Sequence, residues 1–375
     1  MYELFLTCPT GLEEVCKAEL QSSNISDISY QTGGVFFKGS ISDIYKTNLL
    51  SRVGMNLLVK VTSFKFKNLQ DYYNNIYKYE WQYLLEPIMT IAIDSKIDKE
   101  SEVFNNSQFA TLKAKDAIVD KIRKISRKRP SISKENPDIE LKIFIKDGMC
   151  DIYLNSSGDS LYIRGNKKRD HKASINEALA SGLIYLSKWD KKNTLIDPMC
   201  GSGTICSEAA LIKADIAPGL NRVFAFQKWL NYDYDLFSSI KRKLISKINL
   251  SQKFNIYGSD YDYQSIDNCK QYLLDSKYNM SINYSIRNIN NFDTERFKDS
   301  KNIIITNPPY GVRIDSNDSF KSIHAGFNKI LKTNTNLYVI YPLEDPFIEQ
   351  NYDYDLITEL YNGALKCGFY NIKNG

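Results

Sequence analysis

The chain has 375 residues, 43% hydrophobic and 13% aromatic, with 49 Lys and Arg against 44 Asp and Glu and a formal net charge of +5. Such a length exceeds one ordinary domain and supplies apolar residues for more than one core. Seven scattered cysteines with no Cys-x-x-Cys pair, only two histidines, and no apolar run near the roughly 18 residues of a membrane span exclude a disulfide framework, a zinc centre and a spanning helix. The start, Met1-Tyr2-Glu3-Leu4, lacks the basic and apolar regions of a signal peptide, so a reduced, cytoplasmic, metal-independent protein is expected.

The first 50 residues read as small α+β units. Residues 11–21 place Leu12, Val15, Cys16, Glu19 and Leu20 at helical spacing. Gly33-Gly34 opens a predicted strand at 35–39, and residues 40–52 form a second predicted helix. Strands are expected at 57–66 and 88–94. Residues 107–129 predict a helix with Ile118, Ile122 and Ile125 on one stripe and Lys121, Arg123, Lys124, Arg127 and Lys128 elsewhere, stopped by Pro130. Strands at 140–146 and 149–155 flank Asp147-Gly148, a hairpin signal. A further strand is expected at 161–164, before a basic linker that carries Lys167, Lys168 and Arg169.

After residue 172 the pattern becomes alternating helices and strands. Helices are expected at 173–187, 204–213, 263–277 and 319–332. Strands are expected at 194–197, 255–260, 281–287, 302–306 and 336–341. Strands separated by helices indicate βαβ units and a parallel sheet.

Charge is not spread evenly. Residues 113–172 hold 16 Lys and Arg against 9 Asp and Glu, while the remainder is slightly acidic. Basic charge gathered in one segment is the footprint of a polyanion-binding surface, although a solvated helix face reads the same way.

Two stretches carry chemistry. Asn307-Pro308-Pro309-Tyr310 follows the β-branched run 302–306, where an open α/β sheet binds ligands. Its side-chain amide, rigid carbonyls and aromatic ring suit a planar group with an exocyclic NH₂. Asn307 and the Pro308 carbonyl accept its two N–H bonds, and Tyr310 stacks on the ring. In isolation the tetrapeptide also reads as a strand-ending turn with a packed tyrosine. The second stretch is Asp197-Pro198-Met199-Cys200-Gly201-Ser202-Gly203-Thr204, between a strand and a helix. Gly201 and Gly203 permit a tight turn and close ligand approach. No Gly-Lys-Ser/Thr follows, so it is not a Walker loop. Asp197 disfavours a pyrophosphate and suits an ammonium, such as the methionine part of S-adenosylmethionine. Asp260, at the next strand tip, can accept both ribose hydroxyls. Tyr261 can pack on adenine and Asn288 can read its edge. In isolation Asp260 is also an ordinary solvated turn residue. Phe224, Phe226 and Trp229 are expected to pack rather than stack on bases.

With these residues in place, 173–375 resembles a class I S-adenosylmethionine-dependent methyltransferase of the amino-methylating kind. Asp197 to Thr204, Ala217 to Arg222, Phe224 to Phe226, Trp229 and Asn307 to Gly311 together resemble the bacterial rRNA guanine-N2 methyltransferases with a THUMP domain. Thr7, Gly11-Leu12-Glu13 and Glu19-Leu20 fit that family's opening pattern, and Arg52 and Trp81 fit its middle. The resemblance implies a ferredoxin-like segment (1–55), a THUMP RNA-binding domain (56–165) and a Rossmann-like α/β methyltransferase domain (166–375). It also implies S-adenosylmethionine as cofactor and large-subunit rRNA as partner. Lys121, Arg123, Lys124, Arg127, Lys128, Lys167, Lys168 and Arg169 are then the expected RNA contacts. Asn307, Pro308 and Tyr310 are the expected catalytic turn. Asp197, Pro198, Cys200, Gly201, Gly203, Thr204, Asp260, Tyr261, Asn288 and Asn307 are the expected cofactor contacts. Asn288 stands where the family often has Asp, Ala173 to Glu177 lacks the family's Pro and Arg, and Val312-Arg313-Ile314 replaces its usual acidic residue. Two other classes remain open: a DNA adenine-N6 methyltransferase, and a non-catalytic RNA-binding assembly factor.

Overall fold

The computed structural model describes residues 1–98, 103–164, 175–297, 301–310, 317–333 and 335–373. The front half contains β1 (Tyr2–Thr7), α1 (Glu13–Ser22), β2 (Ser29–Gln31), β3 (Gly34–Gly39), α2 (Ile41–Leu50), β4 (Asn56–Lys65), α3 (Leu69–Lys78), β5 (Thr90–Ile97), α4 (Ser107–Ser126), β6 (Ser131–Ile132), β7 (Ile139–Lys146) and β8 (Met149–Asn155). They build one eight-stranded sheet in the order β2-β3-β1-β4-β8-β7-β5-β6. Asp147 and Gly148, at φ 50° and 70°, form the two-residue turn between β7 and β8, whose last pair is Lys146 with Met149. β4 pairs antiparallel with β1 on one side and β8 on the other, so a continuous sheet crosses residue 55.

The second half contains α5 (Glu177–Leu186), β9 (Thr194–Asp197), α6 (Thr204–Lys213), α7 (Tyr234–Ile245), β10 (Ile256–Asp260), α8 (Tyr263–Leu274), β11 (Asn283–Ile286), α9 (Thr294–Phe297), β12 (Asn302–Thr306), α10 (Asn317–Leu331), β13 (Thr335–Pro342), α11 (Phe347–Asn351), β14 (Asp353–Asn362) and β15 (Leu365–Lys373). Its sheet runs β11-β10-β9-β12-β13-β15-β14. The five strands β9 to β13 are parallel, and the β14–β15 hairpin adds antiparallel strands at one edge. All residues of β9 and β12 are buried, as expected of central parallel strands covered on both faces.

Several expectations are corrected. Residues 161–164 form a turn, not a strand. Helices α3 and α7 and the β14–β15 hairpin are additional. The helix of 107–129 ends at Ser126, because Arg127 adopts a left-handed φ of 56° that caps it. Ile125 is 50% exposed, off the core stripe that Ile118 and Ile122 occupy. Phe224, Phe226 and Trp229, by contrast, are buried packing residues as expected, with Phe226 stacked on Tyr45 at 4.6 Å.

The two halves share an interior. Every residue of α6 is buried, which a helix covered only by its own sheet would not show. The front half supplies the cover. Leu12 packs so closely on Gly182 of α5 that a Cβ there would lie 2.4 Å from its Cδ1. Arg52 donates to the Ile216 carbonyl at 2.6 Å, and Arg222 donates to the Ser160 carbonyl at 2.6 Å. Arg164 pairs with Glu208 at 3.1 Å, their side chains only 3% and 2% exposed. Burial pushes the Glu208 carboxyl up, but Arg164, Arg52 and the Ser181 hydroxyl outweigh it and hold it below its ordinary value. Removing one partner of such a buried pair costs about 3–5 kcal/mol. This seam gives the cleft a fixed orientation against the front half.

Candidate active site

Chain order builds the cleft. From β9 the sheet grows outward through β10 and β11 on one side and through β12 and β13 on the other. The crevice between β9 and β12, at their carboxyl ends, is the binding position of an open parallel sheet. A cleft of about 700 Å³ opens there.

Each strand tip contributes. Asp197 ends β9 and is 2% exposed. It accepts a bond from Thr306 Oγ1 at 2.9 Å and one from the Met199 N–H at 3.3 Å. Burial pushes its carboxyl up to about 7; the two hydrogen bonds oppose the shift, and nearby Asp260 adds to it. Asp260 ends β10. Its Oδ2 accepts from the Gly201 N–H at 2.9 Å and its Oδ1 from the Asp262 N–H at 3.0 Å. The Asp260 carbonyl in turn accepts from the Arg287 N–H at 2.8 Å, tying the third tip to the second. Asn288 follows β11, and its Oδ1 accepts from Ser322 Oγ at 2.8 Å and the Asn290 N–H at 3.0 Å.

The glycine turn after β9 is held by packing as well as by Asp260. Gly203 has φ +70° and stands directly before α6. A Cβ on it would lie 2.5 Å from the Tyr284 hydroxyl and 2.8 Å from Cys269 Sγ, so only glycine fits. Cys269 donates to the Gly201 carbonyl at 3.2 Å. The Cys200 thiol is pushed well up, first by its hydrogen bond with Cys269 and then by burial, so it is a neutral packing group.

Most expected cofactor residues come together. Asp197, Pro198, Cys200, Gly201, Thr204, Asp260, Tyr261, Asn288, Asn307 and Pro308 all line the cleft. Gly203 sits behind it. Asn307 has its Oδ1 buried without a hydrogen-bond partner among the described residues. A buried amide oxygen left unsatisfied is costly, so this acceptor on the cleft wall is open to a donor that none of the described residues supplies.

Tyr310 is a correction. It is 5% exposed, packs edge-on against Tyr341 at 5.9 Å, and its hydroxyl accepts a 2.7 Å bond from Asn362. It anchors the turn into the core and does not line the cleft, so the expected stacking face is not presented. Sequence reasoning missed Thr306, Ser322 and Arg287. Thr306 was findable, since it directly precedes the Asn-Pro-Pro-Tyr motif on a strand whose neighbour ends in Asp197. Arg287 also lines the cleft and pairs with Asp293 at 3.3 Å.

The described RNA candidates, Lys121, Arg123, Lys124, Arg127 and Lys128, do not line the cleft. Arg123, Lys124, Arg127 and Lys128 are exposed on or just after α4. Lys121 pairs with Glu80 at 3.0 Å and Arg123 with Asp120 at 2.8 Å. Lys124 lies over the Tyr77 ring at 5.9 Å. Lys167, Lys168 and Arg169 lie outside the described residues, as do Gly311 and the 312–314 departure. Among the described residues no group of three or more His, Cys, Asp and Glu could hold a metal ion, and no helix is long and apolar enough to cross a membrane.

Three family models match consecutive parts of the chain: an RlmL ferredoxin-like domain at 3–55, a THUMP domain at 66–155 and an RMKL-like methyltransferase domain at 164–343. A ribosomal RNA large subunit methyltransferase K/L from Cellvibrio japonicus is 32% identical over 346 residues, which cover 88% of this chain and 45% of that protein. One of the same name from Desulfotalea psychrophila is 28% identical over 98% of this chain and 52% of its own length. The chain thus spans about half the length of these curated relatives. Among solved structures, a candidate methyltransferase complexed with SAH is 25% identical, with a TM-score of 0.86 over 100% of this chain and 98% of that one. A candidate methylase from Clostridium difficile 630 is 29% identical, with a TM-score of 0.87 over the same shares.

Proposed function

We propose, for a chain that carries ferredoxin-like, THUMP and RMKL-like methyltransferase domains in that order, that it is an S-adenosylmethionine-dependent methyltransferase acting on the exocyclic N2 amine of a guanine in large-subunit (23S) rRNA. The working units are 1–55, 56–165 and 166–375, and the site of action is the cytoplasm, where rRNA is assembled. The names of the relatives support the rRNA class, and the relative crystallised with SAH supports the cofactor.

The residues fit that cofactor. Asp197 offers a buried carboxylate for the methionine ammonium, an ion that would restore the charged form. Asp260, held open by two backbone N–H groups, offers its remaining lone pairs to the ribose hydroxyls. Tyr261, exposed on the rim, offers an aromatic face, and Asn288 lies on the same wall. S-adenosylmethionine supplies an electrophilic methyl group on a sulfonium.

The chain's own part is orientation. The Asn307 Oδ1, on the cleft wall and without a partner among the described residues, is the observation that carries the reading. An amine donor fits it, and the stiff Pro308-Pro309 backbone supplies a second acceptor at fixed geometry. Accepting both N–H bonds turns the nitrogen lone pair out of the ring plane and toward the transferable methyl. No strong general base is needed when the proton leaves after transfer. A guanine inside folded RNA must be unstacked to reach this turn. Mass mapping of rRNA from cells lacking the chain tests the assignment. Loss of one N2-methylguanine from the large-subunit RNA is expected; an unchanged guanine methylation pattern overturns it.

A further inference from the structure

We propose that the C-terminal half of α7 and the turn after it, residues 241–253, form an RNA-backbone contact surface of the catalytic half, apart from the cleft. The inference rests on the RNA reading above and extends it to a surface with no role in holding the cofactor.

The segment carries Lys241, Arg242, Lys243, Lys247 and Lys253, with no Asp or Glu anywhere between Leu236 and Ser259. Arg242, Lys243, Lys247 and Lys253 are exposed. Among the described residues none of the five lies within salt-bridge distance of a carboxylate, whereas on α4 Lys115, Lys121 and Arg123 each do. Positive charge left uncompensated on a protein surface attracts polyanions.

Packing decides which way the charges point. Phe237, Ile240 and Leu244 are buried, and Phe237 meets the Tyr45 ring of α2 edge-on at 5.7 Å. That fixes the opposite face of α7 toward solvent. Cations also suit a helix C-terminus for dipole reasons. That accounts for Arg242 and Lys243 in the last turn, but Lys247 and Lys253 lie beyond the helix.

The location adds a second argument. Just before α7, Lys228 donates to the Asn136 and Pro137 carbonyls at 2.9 and 3.1 Å, bridging to the front half. The helix then leads into the amino end of β10, whereas the cleft lies at the carboxyl ends. A ligand that touches both must pass around the side of the domain. A long folded RNA can do so and a mononucleotide cannot. Backbone phosphates are the matching chemistry, because lysines at varied spacing neutralise charge without reading a base.

The test uses the full chain and a protein-free large-subunit rRNA transcript, with affinity measured across KCl concentrations. Arg242→Gln, Lys243→Gln and Lys247→Gln together should lower the log–log salt slope by roughly 2 units. A second triple of equal charge change on the front half, Lys38→Gln, Lys65→Gln and Lys67→Gln, should lower it by less than about 1. Affinity for SAH, read by calorimetry, should be equal in all three proteins. An unchanged slope in the α7 triple, or an equal fall in the front triple, overturns the surface. If the unsubstituted protein methylates the RNA in that case, the enzymatic reading stands. If the unsubstituted protein neither binds nor methylates RNA, both fall together.

Discussion

The cleft and helix α4 are both lined with charged and polar side chains, and they use them in opposite ways. At the strand tips the groups face an open volume: Asp260 is held by two backbone N–H groups, Asp197 by the Thr306 hydroxyl, and Asn307 has an acceptor unspent among the described residues. On α4 the charges answer one another: Lys121 meets Glu80, Arg123 meets Asp120, and Lys115 meets Asp116. Preorganised groups aimed at a cavity do chemistry, because no reorganisation is left to pay for when the ligand arrives. Paired surface charges contribute little to either stability or binding. A count of cations along a helix therefore overstates its free charge, and the position of a group relative to a cavity matters more than its type.

The largest expected effect tests the unspent acceptor. Asn307→Ala should lower turnover by about 10²–10³-fold with cofactor affinity kept, the cost of deleting one positioned hydrogen-bonding group at a reaction centre. A fall in SAH affinity of equal size would make Asn307 a cofactor ligand only. Next comes Asp260→Ala, which should weaken S-adenosylmethionine binding by about 1.5–3 kcal/mol in calorimetry, the scale of a hydrogen bond to a charged group. Part of that loss would come through the Gly201 N–H that Asp260 now holds. A folded variant with native affinity would place the ribose elsewhere.

Asp197 sharpens the cleft side of the comparison through pH. Its carboxyl stands at about 7 because burial penalises the ion. A folded value above the unfolded one means that the native state binds the extra proton, so stability falls as pH rises from about 4 to 7 and then levels. An ammonium-bearing ligand prefers the ion, so its binding changes the opposite way. Affinity for S-adenosylmethionine should rise up to about tenfold per pH unit below 7 and flatten above it. Asp197→Asn should be weaker and insensitive over that range; a pH-dependent Asn variant would assign the titration to another group.

On α4, neutralising Lys121 and Arg123 should change the salt slope of rRNA binding by less than roughly 1 unit, whereas neutralising Lys124, Arg127 and Lys128 should lower it by roughly 2. Equal changes would mean that the observed ion pairs open to meet RNA. The smallest effect is on Tyr310. Tyr310→Phe removes the Asn362 bond and should cost about 1 kcal/mol in chemical denaturation while turnover stays within a few fold. A large loss of turnover at native stability would give Tyr310 a direct role at the substrate.

The parts legible in the sequence are those set by local pattern. Buried β-branched runs gave the parallel strands, and Asp197, Asp260 and Asn307 could be placed because a strand's last residue sits at the sheet's ligand edge whatever its neighbours are. The parts missed depend on contacts far apart in the chain. Tyr310 takes its bond from Asn362, on a hairpin 52 residues later. Glu80, which compensates Lys121, lies 41 residues earlier. The buried Arg164–Glu208 pair spans 44 residues and is invisible until two halves pack. Helix α7 was legible and passed over: Phe237, Ile240 and Leu244 fall at i, i+3 and i+7 behind an Asp233 N-cap, and all three are buried.

Labelled methyl transfer to protein-free large-subunit rRNA, followed by nuclease digestion and mass spectrometry, bears most directly on the central claim that the Asn307 turn presents a guanine amine for methylation. The account predicts label in N2-methylguanine, and its loss in Asn307→Ala. Label in N6-methyladenine on duplex DNA, with none in guanine of RNA, would contradict it.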